Sequence, residues 1–247
     1  MADGVQIDWH NICVTAGGGN EPVTILNKVS GYARPGELLA IMGSSGAGKT
    51  TLMNVLTQRN LSGLSVTGDI SLNGVPASSD NIQKLGAYIQ QDDAFVAALT
   101  VHEHLMFHAR MRLSTKAVKD QRSRVEEVVK IMGLDKCMAT VIGTPGLTKT
   151  LSGGEMKRLS IATEILNNPP LIFADEPTSG LDSYLALTVI KCLDELAASG
   201  TTVLCTIHQP NSDIFARFKS LMLVAKVSKG VFYFWFKLPV NAGVSVV

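Results

Sequence analysis

Short, nearly unbroken apolar runs alternate along this chain with stretches whose apolar residues recur at helical spacing. Residues 22–42 begin as a strand, pass through a turn at Arg34-Pro35-Gly36-Glu37 and end in Leu38-Leu39-Ala40-Ile41-Met42. That wholly apolar run is the pattern of a strand buried on both faces. Residues 49–58 predict a helix, and residues 66–75 a strand ending in a turn at Asn73-Gly74. Between about residues 93 and 165 helical spacing dominates. Val118, Arg122, Val125, Val128, Val129 and Met132 carry it, and the charges between them predict a solvated helix face. Sheet texture returns at Leu171-Ile172-Phe173-Ala174 and at residues 202–206. The alternation predicts an α/β fold with a mainly parallel sheet. It divides into one domain over residues 1–235 and a divergent tail over 236–247. Within the domain, a core lobe from about 1–92 and 166–235 surrounds a helical lobe inserted at about 93–165. No internal repeat is evident.

Composition narrows the class. Apolar residues are 46% of 247, enough for a packed core and too many for a disordered chain. Charged residues are 17%, below the usual quarter or so, which points to surface covered by a partner. The net charge of +1 offers no basic field to a nucleic acid. Cys13, Cys137, Cys192 and Cys205 are scattered, without the spacing of a zinc or redox motif, and are expected to be reduced and mostly buried. Met1-Ala2-Asp3-Gly4 carries an acid and no apolar run, unlike a signal peptide. The most apolar runs, near 221–225 and 231–236, fall far short of the ~18 residues of a membrane span. The isolated chain is therefore expected to be soluble.

Gly43-Ser44-Ser45-Gly46-Ala47-Gly48-Lys49-Thr50 fits G-x-x-x-x-G-K-[ST]. Glycines let the backbone curl so that several N–H groups point at phosphate oxygens. The helix opening near Lys49 adds the positive end of its dipole. Lys49 reaches the β- and γ-phosphates and the Thr50 hydroxyl can ligate Mg2+, with Thr51 continuing the cradle. The buried strand before it and the helix after it are the context this loop requires. A second strand, Leu171-Ile172-Phe173-Ala174, ends in Asp175-Glu176. It would deliver two carboxylates to the C-terminal edge of the sheet, where open α/β sheets bind ligands. Asp175 suits the metal and Glu176 the general base that activates water.

Leu151-Ser152-Gly153-Gly154-Glu155 opens a helix with a serine and two glycines, a second anion-binding surface in a chain that already has one. This stretch resembles the signature of ABC ATPases. The other landmarks of that family occur in order. Tyr88-Ile89-Gln90-Gln91-Asp92-Asp93 resembles the Q-loop, Ser179-Gly180-Leu181-Asp182 the D-loop, and His208 in Thr206-Ile207-His208-Gln209-Pro210 the switch histidine. Within the family the chain is similar to the G subfamily, the white–brown type of half-transporter. The supporting stretches are Gly36-Glu37-Leu38-Leu39-Ala40-Ile41-Met42-Gly43, Gln91-Asp92-Asp93, Leu99-Thr100-Val101, Gly153-Gly154-Glu155-Met156-Lys157-Arg158-Leu159-Ser160 and Ile207-His208-Gln209-Pro210. The resemblance covers roughly residues 7–233.

The resemblance implies a P-loop NTPase core with a mainly parallel sheet, an antiparallel β part and an inserted helical lobe. It implies ATP and Mg2+ as cofactors. Two such domains pair head to tail, as homo- or heterodimer, and Ser152, Gly153, Gly154, Glu155 and Asp182 meet the partner's nucleotide. Gln91 senses metal and water, and His208 contacts the γ-phosphate. An ABC membrane domain, not contained in this chain, would be driven to export a hydrophobic or lipid-like substrate from the cytoplasmic face of a membrane. Two readings stay open beside this one: a soluble ABC ATPase, and a short regulatory form that pairs with full-length subunits.

Two features depart from the family. Val14 stands where an aromatic residue usually stacks on adenine, with Trp9 nearby but out of place. The tail after about residue 234 matches nothing in the family pattern. Other signals carry less. His104 and His108 share a helix face, but H-E-x-x-H is not met, because Met106 stands where the second histidine is needed; they are expected on an exposed helix. Gly17-Gly18-Gly19 lacks a following helix and predicts a surface loop. Met53, Met106, Met111 and Met132 predict packing.

Overall fold

In a computed structural model, residues 4–17, 22–91, 95–143, 150–227 and 230–238 are described. Gly18, Gly19, Asp92, Asp93 and the tail beyond residue 238 lie outside them. The order is β1 (Ile7–Ala16), β2 (Val23–Ala33), β3 (Leu38–Met42), α1 (Lys49–Thr57), β4 (Leu64–Leu72), β5 (Val75–Pro76), α2 (Ser79–Leu85) and β6 (Gly86–Ile89). Then come α3 (Val101–Arg112), α4 (Val118–Met132), α5 (Gly153–Glu164), β7 (Leu171–Asp175), α6 (Ser183–Ala198), β8 (Thr202–Ile207), α7 (Ser212–Phe215), β9 (Ser220–Val227) and β10 (Gly230–Lys237).

A six-stranded sheet has the order β10-β9-β3-β8-β7-β6. Its neighbours are parallel except for the antiparallel β9–β10 pair. A second, antiparallel sheet has the order β2-β1-β4-β5. The apolar runs follow from this layering, because alternate residues of the central strands enter different cores. Leu38 and Ala40 join α3, α4, α5 and α6 on one face. Leu39 and Ile41 join α1 and the antiparallel sheet on the other. With both faces covered, β7 and β8 are buried along their whole length. Trp9 fills the second core, lying against Gly31, where an added Cβ would stand 2.6 Å from the indole.

The helical segment shares its core with the sheet: Leu105, Val128 and Leu159 belong to the same cluster as Ile172 and Val203. Its charges are not all solvated. Arg124 turns inward, its guanidinium donating to the Ile165 and Leu166 carbonyls at 2.7 and 3.0 Å. Val118 is exposed, and Gln121 is buried in its stead, where its amide donates to the Leu113 and Lys116 carbonyls and closes the α3–α4 connection. His104 is also buried, against the expectation of an exposed helix, because α5 packs over it and supplies Thr163. Met53, Met106 and Met132 pack in the cores, but Met111 is exposed. Cys137, Cys192 and Cys205 are buried free thiols, each raised in pKa first by desolvation. β10 runs to Lys237, so the boundary placed at 235 falls inside a strand.

Candidate nucleotide site

The site is assembled by strand register. Met42 pairs with Ile207, Asp175 with Thr206 and Ile89 with Ala174. The residues that follow these strand ends, Gly43, His208, Glu176 and Gln91, therefore leave the sheet along one edge. Glu176 and Gln209, just past β7 and β8, hold φ near 45°. Non-glycine residues rarely adopt that left-handed backbone, and such strain concentrates at functional edges.

The loop between β3 and α1 needs its glycines for different reasons. A Cβ on Gly43 would stand 2.2 Å from the Val224 carbonyl oxygen, and one on Gly48 would stand 2.7 Å from the Leu26 side chain. Gly46 has φ 73° and open space around it. Gly48 is the N-cap of α1 and contributes no side-chain cap, so the first N–H groups of that helix remain available to an anion. Ser44 and Ser45 are exposed, Ala47 is buried, and Thr51 is half-buried in the first turn. Lys49 is only 5% exposed. Its ammonium folds back to donate to the Gly43 and Ser44 carbonyls at 3.0 and 3.3 Å, and lies 3.8 Å from Glu176 Oε1.

Asp175 is buried and held by hydroxyls from three elements. Thr206 Oγ1 donates to its Oδ1 at 2.5 Å, Thr50 Oγ1 to the same oxygen at 3.3 Å, and the Tyr88 hydroxyl to Oδ2 at 3.2 Å. Burial and the Asp175 charge keep the Tyr88 phenol well above its ordinary pKa, so it stays a donor. Thr206 also accepts the Glu176 N–H at 2.8 Å, tying both acids to β8. Gln91 donates to Glu176 Oε2 at 3.5 Å. His208 is exposed at the end of β8. Tyr88 and Thr206 open the Q-loop and switch-histidine stretches, but those motifs assign them no role of their own. Their signal is position alone: one turns inward beside the Q-loop, and the other pairs in register with Asp175.

Ser152, Gly153, Gly154 and Glu155 form a separate group. Ser152 caps α5, accepting the Glu155 N–H, while the Glu155 carboxylate accepts from the Ser152 N–H and hydroxyl at 2.9 and 2.8 Å. Glu155 is thus engaged in a capping box. Asp182 likewise caps α6, accepting from the Tyr184 and Leu185 N–H groups. The two groups of this face touch each other: a Cβ on Gly153 would stand 3.3 Å from Leu181, and one on Gly154 would stand 2.8 Å from Leu185. Val14 is completely buried between the strands, as is Trp9. Neither presents a face to a base.

The family model described as ABC transporter matches residues 26–179. The chain belongs to the ABC transporter family. It is 52% identical over 203 residues to the ABC transporter ATP-binding protein/permease wht-1 of Caenorhabditis elegans, covering 81% of this chain and 30% of that protein. It is 49% identical over 205 residues to Protein white of Drosophila melanogaster, covering 82% and 30%. It is 45% identical over 207 residues to ABC transporter G family member STR2 of Medicago truncatula, covering 84% and 28%. The chain thus spans about a third of the length of these relatives, and its subfamily is the G family. In family terms this is an ABC-type ATPase domain, and membership of the family implies that it binds ATP. Among the described residues no helix is long and apolar enough to cross a membrane.

Proposed function

We propose that the chain binds and hydrolyses Mg-ATP between two head-to-tail copies and drives a membrane domain, as the motor of a G-family half-transporter. The observation that carries this is the register-built edge, where Lys49 and Gln91 approach opposite oxygens of the Glu176 carboxylate at 3.8 and 3.5 Å. Room at Gly46, the uncapped N-terminus of α1 and the Lys49 ammonium suit a polyphosphate. An oxygen-only donor pair, Thr50 and Asp175, suits Mg2+, and Gln91, whose side chain reaches Glu176, would complete it. Bound there, the ion would neutralise charge developing on the phosphates.

Lys49 and the loop amides of Gly43, Ser44, Ser45, Gly46, Ala47 and Gly48 hold the phosphate chain, with Thr51 beside them. Glu176 takes the proton of the attacking water, oriented by Gln91, and His208 steadies the terminal phosphoryl group. Ser152, Gly153 and Gly154 of the second copy close over the same phosphate, with Asp182 at the junction. The Glu155 capping box supports this by holding the signature turn rigid. A location at the cytoplasmic face and a hydrophobic or lipid-like cargo follow from the family resemblance, and the membrane partner rests on the relatives. One of these, 39% identical over 227 residues, is named ABC multidrug transporter SNQ2 of Candida glabrata.

The experiment is Glu176→Gln. Turnover is expected to fall by about 10²- to 10⁴-fold, as for loss of a general base, with Mg-ATP binding retained. The variant is expected to accumulate as an ATP-dependent dimer in analytical ultracentrifugation. Equal steady-state rates for the two proteins would remove Glu176 from this role.

A further inference from the structure

We infer that Lys157 is a positioning residue that links the signature helix to the Q-loop, so that closure of one nucleotide site adjusts the catalytic groups of the other. The inference rests on the two-copy reading above.

Lys157 lies on α5, five residues after Ser152, which is roughly 7–8 Å along the helix axis. Its residue is 4% exposed. Its ammonium donates to the Gln90 carbonyl at 3.1 Å and to the Gln91 carbonyl at 2.9 Å. Strand β6 ends at Ile89, so both carbonyls lie beyond the sheet ladder. The Gln91 side chain then reaches Glu176 Oε2, and Glu176 Oε1 lies beside Lys49. One helix therefore carries at its N-terminus the turn that meets the partner's nucleotide, and one turn later the cation that grips the backbone of this chain's own Q-loop. Charge-assisted hydrogen bonds shielded from water resist breaking, so a displacement of α5 moves Gln90 and Gln91 with it. A shift of about 1 Å at such a group changes rate by up to a hundredfold.

The test compares Lys157→Met and Lys157→Arg with the unmodified chain. The measurements are ATPase kinetics, melting temperature and binding of a trinitrophenyl-ATP probe. Lys157→Met is expected to lower kcat by roughly ten- to a hundredfold. KM for ATP and probe affinity should stay within about twofold, because the phosphate loop is untouched. Lys157→Arg, which keeps a cation within reach of the carbonyls, should recover most of the rate. Combined with Gln91→Ala, the loss should not multiply, because Lys157 acts through Gln91. If Lys157→Met does not fold, Lys157→Gln carries the same comparison. Normal kcat in Lys157→Met, or losses that multiply with Gln91→Ala, overturn the inference. Glu176→Gln run in parallel separates the two levels. Turnover that survives Glu176→Gln overturns the site reading and this inference together. Turnover abolished in Glu176→Gln but normal in Lys157→Met overturns only the link.

Discussion

His104 shows how a residue discounted on pattern can acquire a definite role from its neighbours. Thr163 donates its hydroxyl proton to the Leu159 carbonyl at 2.8 Å, so it must accept from His104 Nε2 at 3.1 Å. That assigns the Nε2–H tautomer to a neutral imidazole. Burial, then the neighbouring His108 and Arg112, depress the His104 pKa to about 4. The unfolded chain takes this proton near pH 6.5, before the folded one does. The contribution is complete above that pH and is lost as the pH falls towards 4. Unfolding free energy from urea denaturation should therefore decline over this window, by up to about 3 kcal/mol from His104. His104→Gln should flatten the slope, and His108, lowered mainly by burial, should leave a smaller remainder. An unchanged slope in His104→Gln would contradict the assignment. None of this was visible in the spacing of His104 and His108, because their surroundings come from α5, more than forty residues away.

At the scale of elements, the signature turn answers to two demands at once. Its Ser152–Glu155 capping box was legible as S-x-x-E. The reason for Gly154 was not, because it lies in the packing of α5 on α6. A methyl group there would meet Leu185 Cδ2 at 2.8 Å and Leu185 Cβ at 3.2 Å, so Leu185 would have to turn aside and α5 ease away from α6. Gly154→Ala is expected to cost about 1–3 kcal/mol, as overpacking does, and to slow turnover by displacing the same helix that carries Lys157. Thermal melts and ATPase assays check both, and wild-type values in each would mean the interface yields freely. α1 shows the opposite arrangement. It has no side-chain cap, and the G-x-x-x-x-G-K-[ST] pattern was sufficient to predict that free N-terminus. The presence of Val14 where the family has an aromatic residue was legible, but its complete burial was not. Only the pairing of β1 with β2 and β4 reveals that the position faces the core rather than a base.

The whole molecule is a layered body in which a single sheet edge gathers residues from four strands. The phosphate loop, Asp175, Glu176, Gln91 and His208 converge there, whereas Ser152, Gly153 and Gly154 begin another helix beside Leu181 and Leu185. On the proposed two-copy reading the site borrows its lid from a second copy and obeys mass action. ATP turnover per chain is therefore expected to rise with protein concentration and to level off once dimers predominate. A rate per chain that stays constant over a hundredfold dilution range would contradict the shared site.

The sequence by itself determined the apolar strands, the phosphate loop, the acidic strand end and the order of the family landmarks. Each depends on contiguous residues, where backbone conformation and side-chain chemistry are local. Only the tertiary structure decided which residues hold those groups in place. Thr206 and Tyr88 on Asp175, Lys157 on the Q-loop backbone and Leu185 against Gly154 join segments tens of residues apart. Their positions follow from strand register and helix packing, which no local spacing encodes.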